Sequence, residues 1–157
     1  GYQRGAFLNL TNAFGGAGQF TPAANHSATV FPVSTNADVN ASGGHYIAYL
    51  FGTVAGLTKF GTYTGNGSTQ NIECGFTSGA KFVMIKKTSG SGDWSVFDTS
   101  RGIVAGNDSI LQFNTSSAAQ TGYDVIDPYD GGFGLGSELI NTANNNGDQY
   151  IFWAIAA

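Results

Sequence analysis

The chain has 157 residues, a formal net charge of −4 and an isoelectric point near 4.7. At 41% hydrophobic and 13% aromatic residues it is too apolar for a disordered chain, yet only 10% of residues are charged, well under the ~25% of an average globular domain. Six Lys and Arg are too few to neutralise a phosphate backbone, the single Cys74 excludes an intrachain disulfide, and no apolar run reaches the ~18–20 residues of a membrane span, so neither nucleic acid nor membrane insertion is expected.

Along the chain, AFLNLTN (6–12) alternates apolar and polar residues and predicts a strand. The Gly-free stretch 19–42 carries Pro22 and Pro32 with no 3.6-residue period, and 107–121 is rich in Ser, Thr and Asn, so no helix is expected in either. HYIAYLFGT (45–53) is apolar on both alternating faces, as is QYIFWAIAA (149–157), and both predict central strands buried from two sides. KFGTYTG, AKFVMIKKT, DWSVFDTS and SILQFNTS complete the strand series. TGNGST, SGSGD and NNNGD separate them, where Gly and Asn supply the backbone of tight turns. Short strands with frequent turns predict an all-β chain, an antiparallel β-sandwich or jelly-roll-like unit.

The chain also repeats itself. Asn40, Gly43, Tyr46 and Ile47 answer at constant spacing to Asn144, Gly147, Tyr150 and Ile151. RGAFLNLTN near the start answers to RGIVAGNDSILQFNTS, and ATVFPVSTN to GGFGLGSELI. Residues 58–100 have no counterpart ahead of residue 1. The expected organisation is therefore a complete unit over 57–157, preceded at 1–56 by the C-terminal half of another. Half a sandwich leaves strand edges and an apolar face to be covered, by the complete unit or by another chain.

Several ordered motifs carry a resemblance: Lys59 and Gly61, Tyr63-Thr64-Gly65-Asn66-Gly67, Ile85-Lys86-Lys87-Thr88, Gly92-Asp93-Trp94, and Asp98-Thr99-Ser100-Arg101-Gly102. Together with the closing NNNGDQYIFWAIA, they resemble a repeated β domain of tailed-bacteriophage virion proteins of marine and cyanobacterial phages. The resemblance covers 58–157, with 1–57 as the tail of a preceding copy. It implies a place in tail fibres or other surface appendages, partnership with other virion proteins and an extracellular, virion location. It implies no catalytic residues.

The candidates for chemistry are few. Asp124, Asp127 and Asp130 in GYDVIDPYDGG lack EF-hand spacing, and a solvated, Asp-capped turn is preferred to a calcium loop, with no metal expected. GGFGLGS imitates a nucleotide loop, but no helix is expected after it. Gly132, Gly134 and Gly136 instead suggest a sheet face pressed by a close neighbour, and no cofactor is expected. Among the carboxylates nearest aromatics, Glu73, Asp93, Asp98 and Glu138, no pair shows a glycosidase arrangement, and Asp98 with Arg101 reads as an ion pair. His26 and His45 have no triad partners, and Cys74 reads as a buried, inert thiol. Trp94, Trp153, Phe76, Phe97, Phe113, Tyr46 and Tyr150 sit in the strand runs, so most of them are expected in the core. Tyr123 and Tyr129 are expected in a polar, Gly- and Asp-rich loop beside Asp127 and Asp130, and these four residues are the glycan-contact candidates, set against aromatics folded onto the sandwich edge.

The sequence thus favours a non-enzymatic virion surface module with a host-surface or glycan recognition role, working as a homo-oligomer, a trimer by analogy with fibres. The alternatives are a structural spacer or capsid-decoration protein and, more weakly supported, a glycan depolymerase.

Overall fold

The computed structural model of the protein describes residues 4–16, 27, 29–136, 138 and 143–157. His26 lies outside them. The chain divides into two compact units, one of Gly1–Phe7 with Phe14–Phe51, the other of Leu8–Ala13 with Gly52–Ala157.

Among its described residues the first unit holds little regular structure: a two-residue pairing of β1 (Arg4–Gly5) with β2 (Gly15–Gly16), and one helical turn, α1 (Ala37–Asn40). Asn36 caps that turn, its side chain accepting the Asp38 amide at 2.8 Å. The strand expected at 45–53 is absent: its residues join no ladder, and Tyr46, expected in the core, is exposed.

The second unit is a two-sheet sandwich, so the expected all-β fold is the observed one. Its strands are β3 (Thr58–Thr64), β4 (Gln70–Glu73), β5 (Ala80–Lys87), β6 (Trp94–Asp98), β7 (Asp108–Gln112), β8 (Gln120–Tyr123), β9 (Ile126–Tyr129), β10 (Gly132–Leu135) and β11 (Gln149–Ala156). One sheet runs β3-β11-β5-β6-β7-β8 and the other β4-β10-β9, antiparallel throughout. β11 is central, as its continuous apolar run requires, with β3 and β5 on its two sides. The segment 6–12 forms no strand, and Leu8 and Leu10 are exposed. Phe113 is also exposed, because it lies just past the end of β7 in a turn.

The core lies between the sheets. Val83, Ile85, Phe97, Tyr150, Phe152 and Ala154 of the larger sheet face Ile72, Ile126, Phe133 and Leu135 of the smaller. Phe133 meets Phe152 edge to face with centroids 5.3 Å apart, joining the layers. Truncating either ring to Ala is expected to cost about 3–5 kcal/mol. Tyr150 stacks on Tyr63 at 5.0 Å, and the Tyr63 hydroxyl donates to the Ala143 carbonyl at 2.5 Å. Burial, with Tyr150 beside it, pushes the Tyr63 hydroxyl well above its ordinary pKa.

Neither lysine of the Lys86-Lys87 pair adds to a basic surface. Lys86 is fully buried on the outer side of β5, its ammonium donating to the carbonyls of Gly92 at 2.7 Å and Thr11 at 3.1 Å. Burial lowers its pKa, with Asp93 acting in opposition. Lys87 is paired with Asp148 at 2.6 Å.

Candidate functional site

The smaller sheet presents one face to the core and one outward. Pairing places Gly134 between Asp127 of β9 and Asn71 of β4, and Gly132 between Tyr129 and Glu73. Directly opposed residues of antiparallel strands point to the same side. Because Ile126, Phe133, Leu135 and Ile72 face the core, the alternate residues Asp127, Tyr129, Asn71 and Glu73 face outward. The result is a strip with a glycine floor, Asp127 and Tyr129 along one side and Asn71 and Glu73 along the other.

The glycines are needed for space. A Cβ on Gly134 would lie 2.9 Å from the Asp127 Cβ, and one on Gly136 would press on the Asp124 backbone. The face kept clear by close neighbours, expected from the every-second-residue glycines, is therefore observed. Gly131 completes the arrangement: a Cβ there would strike the Tyr129 ring at 2.8 Å and the Glu73 carboxylate at 2.6 Å.

Tyr129 spans the floor, its hydroxyl donating to the Glu73 carboxylate Oε1. That bond, ahead of desolvation and the nearby charges, raises the tyrosine pKa and sets the direction of the ring. Burial, then the neighbouring Asp124 charge, raises the Asp127 pKa, while the Gly106 amide hydrogen-bonds its carboxylate and opposes the rise. The strip thus combines a half-buried aromatic ring, two carboxylates and a side-chain amide. Such a set can stack on one face of a sugar ring and hydrogen-bond its hydroxyls.

Of the four residues singled out from sequence, Asp127 and Tyr129 come together here. They lie in a strand, not in the loop expected, because Ile126 turns into the core and 126–129 pairs along β10, while Pro128 stays exposed. Tyr123 ends β8, the exposed edge of the other sheet. Asp130 is exposed in the β9–β10 turn, its carbonyl accepting the Gly79 amide at 2.9 Å. Sequence reasoning missed Asn71 as a member of the strip and weighed Glu73 only as an acid. The signal was the short alternation Gln70-Asn71-Ile72-Glu73, which puts Asn71 and Glu73 opposite Ile72 once 70–73 is read as a strand.

Three further carboxylates weighed from the sequence, Asp93, Asp98 and Glu138, are held by structural donors. Asp93 accepts the side-chain amides of Gln112 and Asn114, each at 2.7 Å. Asp98 forms the expected ion pair with Arg101 and accepts the amides of Ser100 and Arg101. Glu138 accepts the Asp124 amide at 2.9 Å. Among the described residues no group of three or more His, Cys, Asp or Glu is placed to hold a metal ion. Among them, too, no helix is long and apolar enough to cross a membrane.

An antiparallel β-sandwich with a polar, glycine-floored outer strip is the class that fold and site define. The chain belongs to the family described as a domain of unknown function (DUF7483), whose model matches residues 2–157 and so spans both compact units. No curated protein and no solved structure matches it.

Proposed function

We propose that this protein is a non-catalytic module of a virion surface appendage, of tail-fibre type, that contacts a host-surface glycan through the outer strip of its smaller sheet. The observation carrying the glycan reading is Tyr129 held across the glycine floor by Glu73, with Asp127 and Asn71 alongside. The virion reading rests on the ordered motif series from Lys59 to Gly102 and its resemblance to tailed-phage repeats. Other virion proteins are its structural partners in this reading, and a symmetric trimer is the favoured assembly. A second reading, a spacer or capsid-decoration protein, is favoured by the exposed apolar segment Tyr46–Leu50. A depolymerase has the least support, since Asp93, Asp98, Glu73 and Glu138 are each engaged by a structural donor.

The test is binding of the purified chain to host cells and to a glycan panel, with Tyr129→Ala and Tyr129→Phe beside it. Tyr129→Ala is expected to weaken binding at least about tenfold, ~1.4 kcal/mol. Tyr129→Phe, which keeps the ring, is expected to lose less. Absence of binding by the unaltered chain to cells and glycans alike sinks the recognition reading and leaves the spacer.

A further inference from the structure

Two turns of the same build occur in this chain. Before β11, the Asn145 amide donates to the Tyr150 hydroxyl at 3.1 Å, the Asp148 amide to the Asn145 carbonyl at 3.1 Å, and Gly147 sits at φ +80°. In the first unit, the Ala41 amide donates to the Tyr46 hydroxyl at 2.9 Å, the Gly44 amide to the Ala41 carbonyl at 3.0 Å, and Gly43 sits at φ +74°. The spacing between corresponding residues is the one that links Asn40 to Asn144 and Ile47 to Ile151 in the sequence. The repeat is therefore structural, down to individual hydrogen bonds.

Beyond these turns the two segments diverge. YIFWA at 150–154 becomes the centre of a six-stranded sheet, flanked by β3 and β5, and Tyr150 is fully buried. YIAYL at 46–50 is extended by no ladder, with Ile47 82% and Tyr49 78% exposed. Within the same unit, residues 46–50 with Phe31, Val33 and Val39 line an apolar groove of about 480 Å³. Asn144 binds the turn before β4, its Oδ1 accepting the Asn66 amide, whereas the equivalent Asn40 donates to the nearby Ser34 carbonyl. Among the described residues of the first unit, none forms strands beside 46–50 as β3 and β5 do beside β11.

We propose that residues 46–50 are the central strand of another sandwich, whose flanking strand pair comes from a polypeptide segment of the same kind as residues 57–97, the front half of another repeat unit. The side chains fit that occupant. On the core face of β11 the order is Tyr150, Phe152, Ala154, and at the equivalent positions it is Tyr46, Ala48, Leu50. Large and small exchange places while both sets stay apolar, so the same kind of neighbour can pack on either. The start of the segment is also preorganised, because the Tyr46 hydroxyl is already fixed by the Ala41 amide and by donation to the Ala37 carbonyl at 2.8 Å. An intact second copy is the poorer occupant: its own β3 and β5 are already taken by its β11. Main-chain pairing gives affinity in such strand addition and the alternate side chains give register. The inference stands independently of the glycan reading.

The test fuses a copy of residues 57–97 ahead of residue 1 of the full chain and tracks amide hydrogen exchange. In the fusion, the amides of 47–50 are expected to exchange at least about 100-fold more slowly than in the unfused chain. A fusion with the 57–97 copy scrambled is expected to give no such protection. Unchanged exchange in the fusion overturns the proposal. So does protection already present in an unfused chain that scatters light as an oligomer, since a second copy then covers the segment. Should the fusion fail to fold, the copy is co-expressed as a separate tagged polypeptide. Co-purification with the full chain, and its loss in the Ile47→Lys/Tyr49→Lys chain, are then expected; no co-purification overturns the proposal.

Discussion

The Asp108 carboxylate Oδ2 accepts the Val125 amide at 2.8 Å, tying β7 of the larger sheet to the point where the chain crosses into the smaller one. The same oxygen accepts the Ile126 amide at 2.8 Å, and the other oxygen takes that of Val104. One buried side chain thereby satisfies backbone donors that no strand partner reaches at the corner. Asp108→Ala leaves these amides without an acceptor and is expected to cost about 3 kcal/mol, measured by denaturant unfolding. A loss below about 1 kcal/mol would mean that water replaces the carboxylate.

Asn144 plays the matching part at the other end of the sandwich. Its Oδ1 accepts the Asn66 amide at 3.1 Å and the Gln70 side-chain amide at 2.6 Å, and its Nδ2 donates to the Ser68 carbonyl at 2.5 Å. Asn144→Asp keeps the shape and the acceptors but removes the donor beside that carbonyl. Its melting temperature is expected to fall at neutral pH and to recover part of the loss in acid, where a protonated carboxyl regains a donor. A pH-independent loss would assign Asn144 to packing alone.

The acid side of stability divides between two carboxyls of opposite sign. The Lys87 ammonium, then Ser89, holds the Asp148 carboxyl below its ordinary 3.8, so its contribution is complete above that value and is lost as pH falls through the lower folded-state value. Burial raises the Asp108 carboxyl above 3.8, so its contribution to stability increases as pH falls from the folded value to 3.8. Lys87→Met is accordingly expected to flatten the loss of melting temperature below about pH 4. Asp108→Asn is expected to steepen the slope just above it. Superimposable slopes for all three proteins would refute both assignments.

Cys74 is buried, and burial pushes its thiol up to about 11. At pH 8 the native protein is expected to react with a thiol reagent only at the rate at which it unfolds, and to react promptly in denaturant. Prompt modification of the native chain would place the thiol at the surface.

How far the sequence alone reveals the fold differs by element. β3, β5, β6, β7 and β11 are plain in it, because each carries a run of alternating or continuous apolar residues bounded by turn residues. β4, β8 and β9 are not, since QNIE and IDPY have few apolar positions, and GFGL shows only through its alternate glycines, whose face neighbours' side chains bury. Half of the outer strip is legible as Tyr129 and Asp127. The other half is not, since Asn71 and Glu73 lie far away in sequence and reach the strip only through β10.

By itself, the sequence determined the all-β class, the strands β3, β5, β6, β7 and β11 and the internal repeat, all properties of local pattern and of covalent order. It also determined that YIAYL and YIFWA are launched from the same turn, because the hydrogen bonds involved span only a few residues. Only the tertiary structure decided their different fates. A strand's ladder is made by residues distant in the chain, so 150–154 is buried where β3 and β5 flank it and 46–50 stays exposed where, among the described residues, no such pair adjoins it.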